Sequence, residues 1–127
     1  MLFRSLKKSK AGRIINVASI SGRTVTAASS PAYGSAKAAV IQLTRFLAHQ
    51  LGPDGITANV IAPITTLTPR VKALRTEDDI KRIAAQVPLR RLAEPEDSAQ
   101  TMLFLASDGA AYLNGVVLDV NGGRVMM

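Results

Sequence analysis

Hydrophobic positions along this chain fall into short β-branched runs separated by longer stretches of helical spacing. GRIINVAS, Gly12 to Ser19, holds Ile14, Ile15 and Val17 and reads as a buried strand opened by Gly12. GITANVIAP, Gly55 to Pro63, with Ile56, Val60 and Ile61, reads as a second strand, and VVLDV, Val116 to Val120, as a third. Between the first two, Val40, Leu43, Leu47 and Leu51 recur at three and four. That spacing predicts a helix from about Ala32 to Leu51 with those four residues as its core stripe. Ser30 offers the N-cap, Pro31 the first helical position, and Gly52-Pro53 the stop. Upstream, Leu2, Phe3 and Leu6 in MLFRSLKK predict the last turns of a helix running into the first strand. After the second strand, ITTLTPRVKALR reads as an irregular, Thr-rich loop. Thr76 caps a further helix, with Glu77, Asp78 and Asp79 in its first turn, where the helix dipole favours acids, and Val87-Pro88 ends it. Pro95 begins another, with Glu96 and Asp97 at its start and Met102, Leu103, Phe104 and Leu105 within it, stopping near Ser107-Asp108-Gly109.

Strands alternating with helices imply an α/β fold, a parallel sheet wrapped on both faces. Folds of this kind place ligands at the carboxyl ends of their strands. Ser19 and Pro63 sit at such ends, and Tyr33 begins the helix after the first strand, so three features converge on one rim. No internal repeat, low-complexity tract or interdomain linker interrupts the 127 residues, enough for a single domain with one modest core.

Composition narrows the classes. A hydrophobic content of 47% marks a globular chain, and no apolar run reaches a membrane span. Cysteine is absent, which excludes disulfides and thiolate-bound metal and suits a reducing, cytoplasmic compartment. The lone His49 has no partners for a metal site and reads as a partly exposed residue near a helix end. The formal net charge is +7, and Arg4, Lys7, Lys8, Lys10 and Arg13 crowd the amino terminus with no acid among them. Such a cluster fits a targeting leader, a nucleic-acid patch or a solvated helix end. Aromatic residues make up only 4% and none interleaves with the charges, so no nucleic-acid partner is expected and the solvated helix end is favoured.

The candidate chemistry lies in PAYGSAKAAV, Pro31 to Val40. On a helix, Tyr33 and Lys37 share one face, one turn apart. Favouring a phenolate near neutrality takes roughly 4 kcal/mol. A cation about 4 Å away supplies about 1 kcal/mol in water and about 4 at an effective dielectric near 20. Lys37 can therefore activate Tyr33 only in a site closed to water. Ser19 could hydrogen-bond the same substrate oxygen, and the small residues Gly34, Ala36 and Ala38 would let another body approach the helix. Taken alone, the pair equally fits a snorkelling lysine beside a half-buried tyrosine.

The ordered set is more specific than any of its parts. NVASISG, YGSAK fourteen residues after Ser19, ITANVIAP, PLRRLAEPEDSAQTMLFLASD and YLNGVVLDVNGG together resemble the C-terminal half of the short-chain dehydrogenase/reductase family. The resemblance covers essentially the whole chain, which is similar to the branch containing 3-oxoacyl-carrier-protein reductases and many sugar and alcohol dehydrogenases. It implies the C-terminal half of a Rossmann-like, doubly wound parallel sheet, about three strands with flanking helices, forming a single partial domain. It implies reversible hydride transfer between NADP or NAD and a small carbonyl or alcohol substrate. Tyr33 would be the acid/base, Lys37 would hold the nicotinamide ribose and favour the phenolate, and Ser19 would position the substrate oxygen. The loop after Pro63 would contact the nicotinamide end through the backbone near Thr66 and the hydroxyl of Thr68. The family's subunit contacts imply a homo-oligomer, or association through the Tyr33–Lys37 helix and an open sheet edge.

The sequence also departs from the family. Ile64 stands where glycine is usual after the proline, and a β-branched residue resists positive φ, so distortion of this loop is expected. The nine glycines match neither GxGxxG nor GxxxGxG, and the Asn-Asn-Ala-Gly stretch, the catalytic asparagine and the residue that selects NAD or NADP are missing. Relative to the family the chain starts within the helix before strand five. Two classes of function follow: an oxidoreductase half, or a non-catalytic remnant or interaction module of the same fold. Bare, the first strand would show an open edge and promote self-association or poor solubility.

Overall fold

The computed structural model describes residues 3–9, 11–26 and 29–126; Leu2 and Lys10, placed above in the amino-terminal helix and its basic cluster, lie outside the described residues. Strands β1 (Arg13–Val17), β2 (Thr57–Pro63) and β3 (Val117–Val120) form one parallel sheet in the order β1-β2-β3. Arg13 lies opposite Thr57 and Val17 opposite Ile61; Val60 lies opposite Val117 and Pro63 opposite Val120. The helices are α1 (Arg4–Lys7), α2 (Pro31–Leu51), α3 (Pro69–Leu74), α4 (Glu77–Ala84) and α5 (Pro95–Ala106). The α/β architecture expected from the pattern is the one observed.

β2 is paired on both sides, and side chains alternate between faces along a strand. Val60 packs with Ala18 and with Ile41 of α2. Its neighbour Ile61 packs with Leu105 of α5 and with Ala110 on the opposite face. One helix therefore covers each face of the sheet. Ile56, Val60 and Ile61 are almost wholly buried, and each such burial contributes about 1.5–3 kcal/mol. Buried amides fix how β3 joins this layer. Asn59 accepts from the Val116 N–H (3.1 Å) and donates to the Leu113 carbonyl (2.8 Å). Asn114 accepts from the Ala58 N–H (2.9 Å) and donates to the Ala48 carbonyl (3.0 Å).

Helix α2 starts where its cap predicts, with Ser30 Oγ accepting from the Tyr33 N–H and Pro31 in the first turn. Its buried stripe is different from the one expected. Ile41, Thr44, Ala48 and Leu51 face the core, Val40 and Leu47 are half-buried, and Leu43 is 54% exposed. Hydrophobicity favoured leucines, whereas close approach to the sheet favours small residues. Thr44 fits there because its hydroxyl donates to the Val40 carbonyl (2.7 Å) and accepts from Asn16 Nδ2 (2.9 Å). The segment expected to be wholly irregular after β2 contains α3. Thr68 caps it through the Val71 N–H and Pro69 takes its first turn, as Ser30 and Pro31 do for α2. No residue of α3 is buried, so hydrophobic periodicity gave no signal. Helix α4 has the expected Thr76 cap, completed by Asp79 as a capping box, and at the start of α5 the Asp97 carboxylate accepts from the Glu94 N–H.

Candidate active site

Just beyond β1, Ser19 has extended backbone angles and caps the short 3-10 turn Ile20–Gly22. Its Oγ accepts from the Ser21 N–H at 3.2 Å, which leaves the hydroxyl proton able to donate to a substrate oxygen. The turn rests on the first turns of α2. A Cβ on Gly22 would stand 2.6 Å from the Lys37 carbonyl carbon, and one on Gly34 would stand 3.0 Å from the Ser21 carbonyl oxygen. The small residues of α2 thus admit the chain's own turn, and this brings Ser19 beside the stretch that carries Tyr33 and Lys37.

Tyr33 is 47% exposed. The Lys37 ammonium lies 5.7 Å from its ring centroid and donates to the Val17 carbonyl at 3.0 Å. That bond ties the lysine to the carboxyl end of β1, while the phenol stays open to solvent. Closure against water, which the electrostatic argument requires, is not provided at Tyr33 by the described residues. Two hollows of about 290 and 420 Å³ flank the region, and Tyr33 lines neither.

Thr66 and Thr68 lie past the end of β2 with their hydroxyls engaged locally. Thr66 Oγ1 donates to the Ile64 carbonyl (3.0 Å), and Thr68 Oγ1 caps α3. Neither is hydrogen-bonded to Tyr33 or Lys37 among the described residues. Ile64 itself takes no positive φ. Among the described residues the one non-glycine with positive φ is Arg90, and the Ile64 N–H donates to the Val120 carbonyl at 3.1 Å, continuing the ladder. Beyond it, Thr66 pairs with Ala93 in a parallel bridge, which tethers the loop to the segment before α5.

Two ion pairs stand near this rim. Arg91 and Asp97 make a two-pronged contact at 2.6 and 2.8 Å. The guanidinium, with the Glu94 N–H, holds the Asp97 carboxyl well below the usual carboxylate range. Arg23 reaches Asp119 Oδ2 at 3.2 Å. Burial pushes the Asp119 carboxyl up, with Arg23 opposing. Sequence reading named neither pair; for the second the available signal was Asp119 itself, the lone charge inside VVLDV.

A nicotinamide cofactor fits this chain at one end only. Tyr33 and Lys37 present a hydroxyl and an ammonium on one face of α2, suited to a ribose. The strand-to-helix junctions after β1 and β2 open with Ser30-Pro31 and Thr68-Pro69. Proline lacks the N–H that a pyrophosphate cradle uses, so these junctions do not fit the diphosphate.

The family model described as enoyl-(acyl carrier protein) reductase matches residues 2–124. The chain belongs to the short-chain dehydrogenase/reductase family. It is 40% identical over 125 residues to the acetoacetyl-CoA reductase of Acinetobacter sp. (strain RA3849), a match covering 98% of this chain and 50% of that protein. Among solved structures it is similar to the 3-oxoacyl-(acyl-carrier protein) reductase of Brucella melitensis, with 31% identity and a TM-score of 0.91 over 99% of this chain and 47% of the other. A Beutenbergia cavernae protein solved with bound NADP is 37% identical, with a TM-score of 0.85 over 95% and 49%. The chain therefore spans about half the length of the curated relatives it matches. No helix among its described residues is long and apolar enough to cross a membrane.

Proposed function

We propose that this chain is the proton-transfer half of an NAD(P)-dependent oxidoreductase that interconverts a small carbonyl and its alcohol. The observation that carries the reading is the Tyr33–Lys37 pair at the start of α2, tied to the end of β1 through Val17 and packed beside the Ser19 turn. In reduction, Tyr33 gives its phenolic proton to the carbonyl oxygen while the Ser19 hydroxyl hydrogen-bonds that oxygen. Lys37 sets a positive charge beside the phenolate left behind. Held at its ribose by Tyr33 and Lys37, a reduced nicotinamide would supply the hydride for the carbonyl carbon; the C–O single bond stays and the π bond is replaced by new C–H and O–H bonds. The relatives' names make a 3-oxoacyl thioester the first substrate to test.

The half exposure of Tyr33 implies that a second body covers it in the working enzyme. By itself the chain is expected to bind NADH or NADPH poorly; a fluorescence titration giving micromolar affinity would overturn this. When a companion half from a relative is co-expressed, reductase activity should appear. In that assembly Tyr33→Phe should abolish turnover and leave NADPH binding within about twofold, because the proton is lost and the ribose contact through Lys37 is kept. Retained turnover would remove Tyr33 from this role. A second reading, a non-catalytic interaction module, is favoured by the exposed Leu43 and Phe46 on α2 and by the unpaired edge of β1. Stable association with the companion half without NADPH binding would select it.

A further inference from the structure

The turn that Ser19 caps is held at its far end by a pair that the proton-transfer chemistry does not use. Arg23 follows the turn directly, and its N–H donates to the Ile20 carbonyl at 2.9 Å. Its guanidinium reaches β3, 3.2 Å from Asp119 Oδ2 and 3.5 Å from the Val117 carbonyl. Because the sheet runs β1-β2-β3, this contact bridges from the end of one edge strand, past β2, to the other. The pair is the most shielded ion pair among the described residues, with side chains 21% and 20% exposed, against 50% and 36% for Lys7–Asp54. A hydroxyl chain closes the loop behind it, Ser21 Oγ to Thr26 Oγ1 at 3.0 Å and on to Ser29 Oγ at 2.8 Å.

This arrangement is a poor source of stability. Asp119 Oδ1 is buried with no hydrogen-bond partner. Burial of the carboxylate outweighs the help from Arg23 and pushes its titration up. Folding thus makes Asp119 easier to protonate than a free carboxylate. Its contribution to stability is fully present below the ordinary carboxylate range and lost as pH rises through the raised value. Arg91 and Asp97 share the neighbouring cavity with Asp119, but they engage each other, which leaves Arg23 as the cation facing this carboxylate. A costly pair joining a site-bearing turn to a distant strand fixes position rather than adding stability.

We infer that Arg23 and Asp119 are positioning residues, forming a strut that seats the Ser19 turn on α2. The importance of the turn rests on the function proposed above, but the strut can be tested without turnover. The experiment is amide hydrogen exchange by NMR on the full chain, comparing the turn amides of Gly22 and Arg23 with the sheet amides of Ala18 and Val60. Arg23→Met and Asp119→Asn should each lower protection at Gly22 and Arg23 by about tenfold, the scale of losing one charge-assisted contact, while Val60 protection is unchanged. Reversing the pair, Arg23→Asp with Asp119→Arg, should restore protection. Unchanged turn protection in both single variants would overturn the inference. So would a loss that matches Val60 amide for amide, since that signals a purely global role. Asp119→Asn removes a poorly solvated charge and keeps the comparison available if Arg23→Met does not fold. Failure of the reconstituted enzyme to turn over would leave the exchange result standing, so the two ideas fail separately.

Discussion

Gly22 sets how closely Ser19 can stand to the lysine-bearing turn of α2. A methyl group there meets the Lys37 carbonyl carbon at 2.6 Å, and backbone cannot swing aside as a flexible side chain could. Gly22→Ala should therefore cost about 1–3 kcal/mol, the usual penalty for overpacking, read as a lower urea midpoint. Gly34→Ala, with its nearest contact at 3.0 Å, should cost less. Equal midpoints for Gly22→Ala and the parent chain would show that the turn can lift away freely. At this scale the sequence revealed the Tyr33–Lys37 pair, because helical spacing alone puts those side chains on one face. It did not reveal how hydroxyls are used. The expected cofactor contacts run through the backbone near Thr66 and the hydroxyl of Thr68, and both hydroxyls also bond within their own loop. For Thr68 the signal was present: Thr68-Pro69 repeats the cap chemistry of Ser30-Pro31. Of the Arg23–Asp119 pair the sequence shows only the lone charge inside VVLDV, and the strand order is what brings Arg23 to it.

Among the elements, α5 begins with a cap whose two halves support each other. Asp97 accepts from the Glu94 N–H at 2.8 Å and from both prongs of Arg91, so its carboxylate is favoured in the folded chain. A lowered titration gives stability that is present above the ordinary carboxylate range and lost only as pH falls through the folded value. Asp97→Asn should lower the urea midpoint by a constant amount from neutral to mildly acidic pH, and the difference should vanish in strong acid. A difference that grew on acidification would reverse the assignment. This cap was legible, because acids in a first turn after proline are a local signal. The core stripe of α2 was not. Its outline came from apolar spacing, but the choice between the Leu43 side and the Ile41–Thr44–Ala48 side depends on the gap left by the sheet. That gap exists only once β1 and β2 are paired.

For the molecule as a whole, the sheet is closed at its centre and open at its ends. β2 is buried along nearly its full length, while β1 pairs only with β2 and leaves Val17 45% exposed beside the candidate site. An uncovered strand with apolar side chains is a template for another strand. In the oxidoreductase reading this edge is where the companion half joins, which would also bring the cover that Tyr33 lacks. Without that companion, two copies of the chain are expected to meet there. Lysine on an edge strand opposes such pairing through charge and solvation. Val17→Lys should therefore shift the chain toward monomer in sedimentation velocity while leaving its helical circular dichroism intact, because the Val17 carbonyl that receives Lys37 is main chain and survives the substitution. Phe46→Glu, on the exposed face of α2 and 59% accessible, serves as the counter-test. If Phe46→Glu dissociates the assembly and Val17→Lys does not, the helix face is the contact and the edge of β1 is not. If Val17→Lys alone acts, the same substitution should also block assembly with the companion half, so that loss of self-association and loss of reconstituted reductase activity follow from one altered edge.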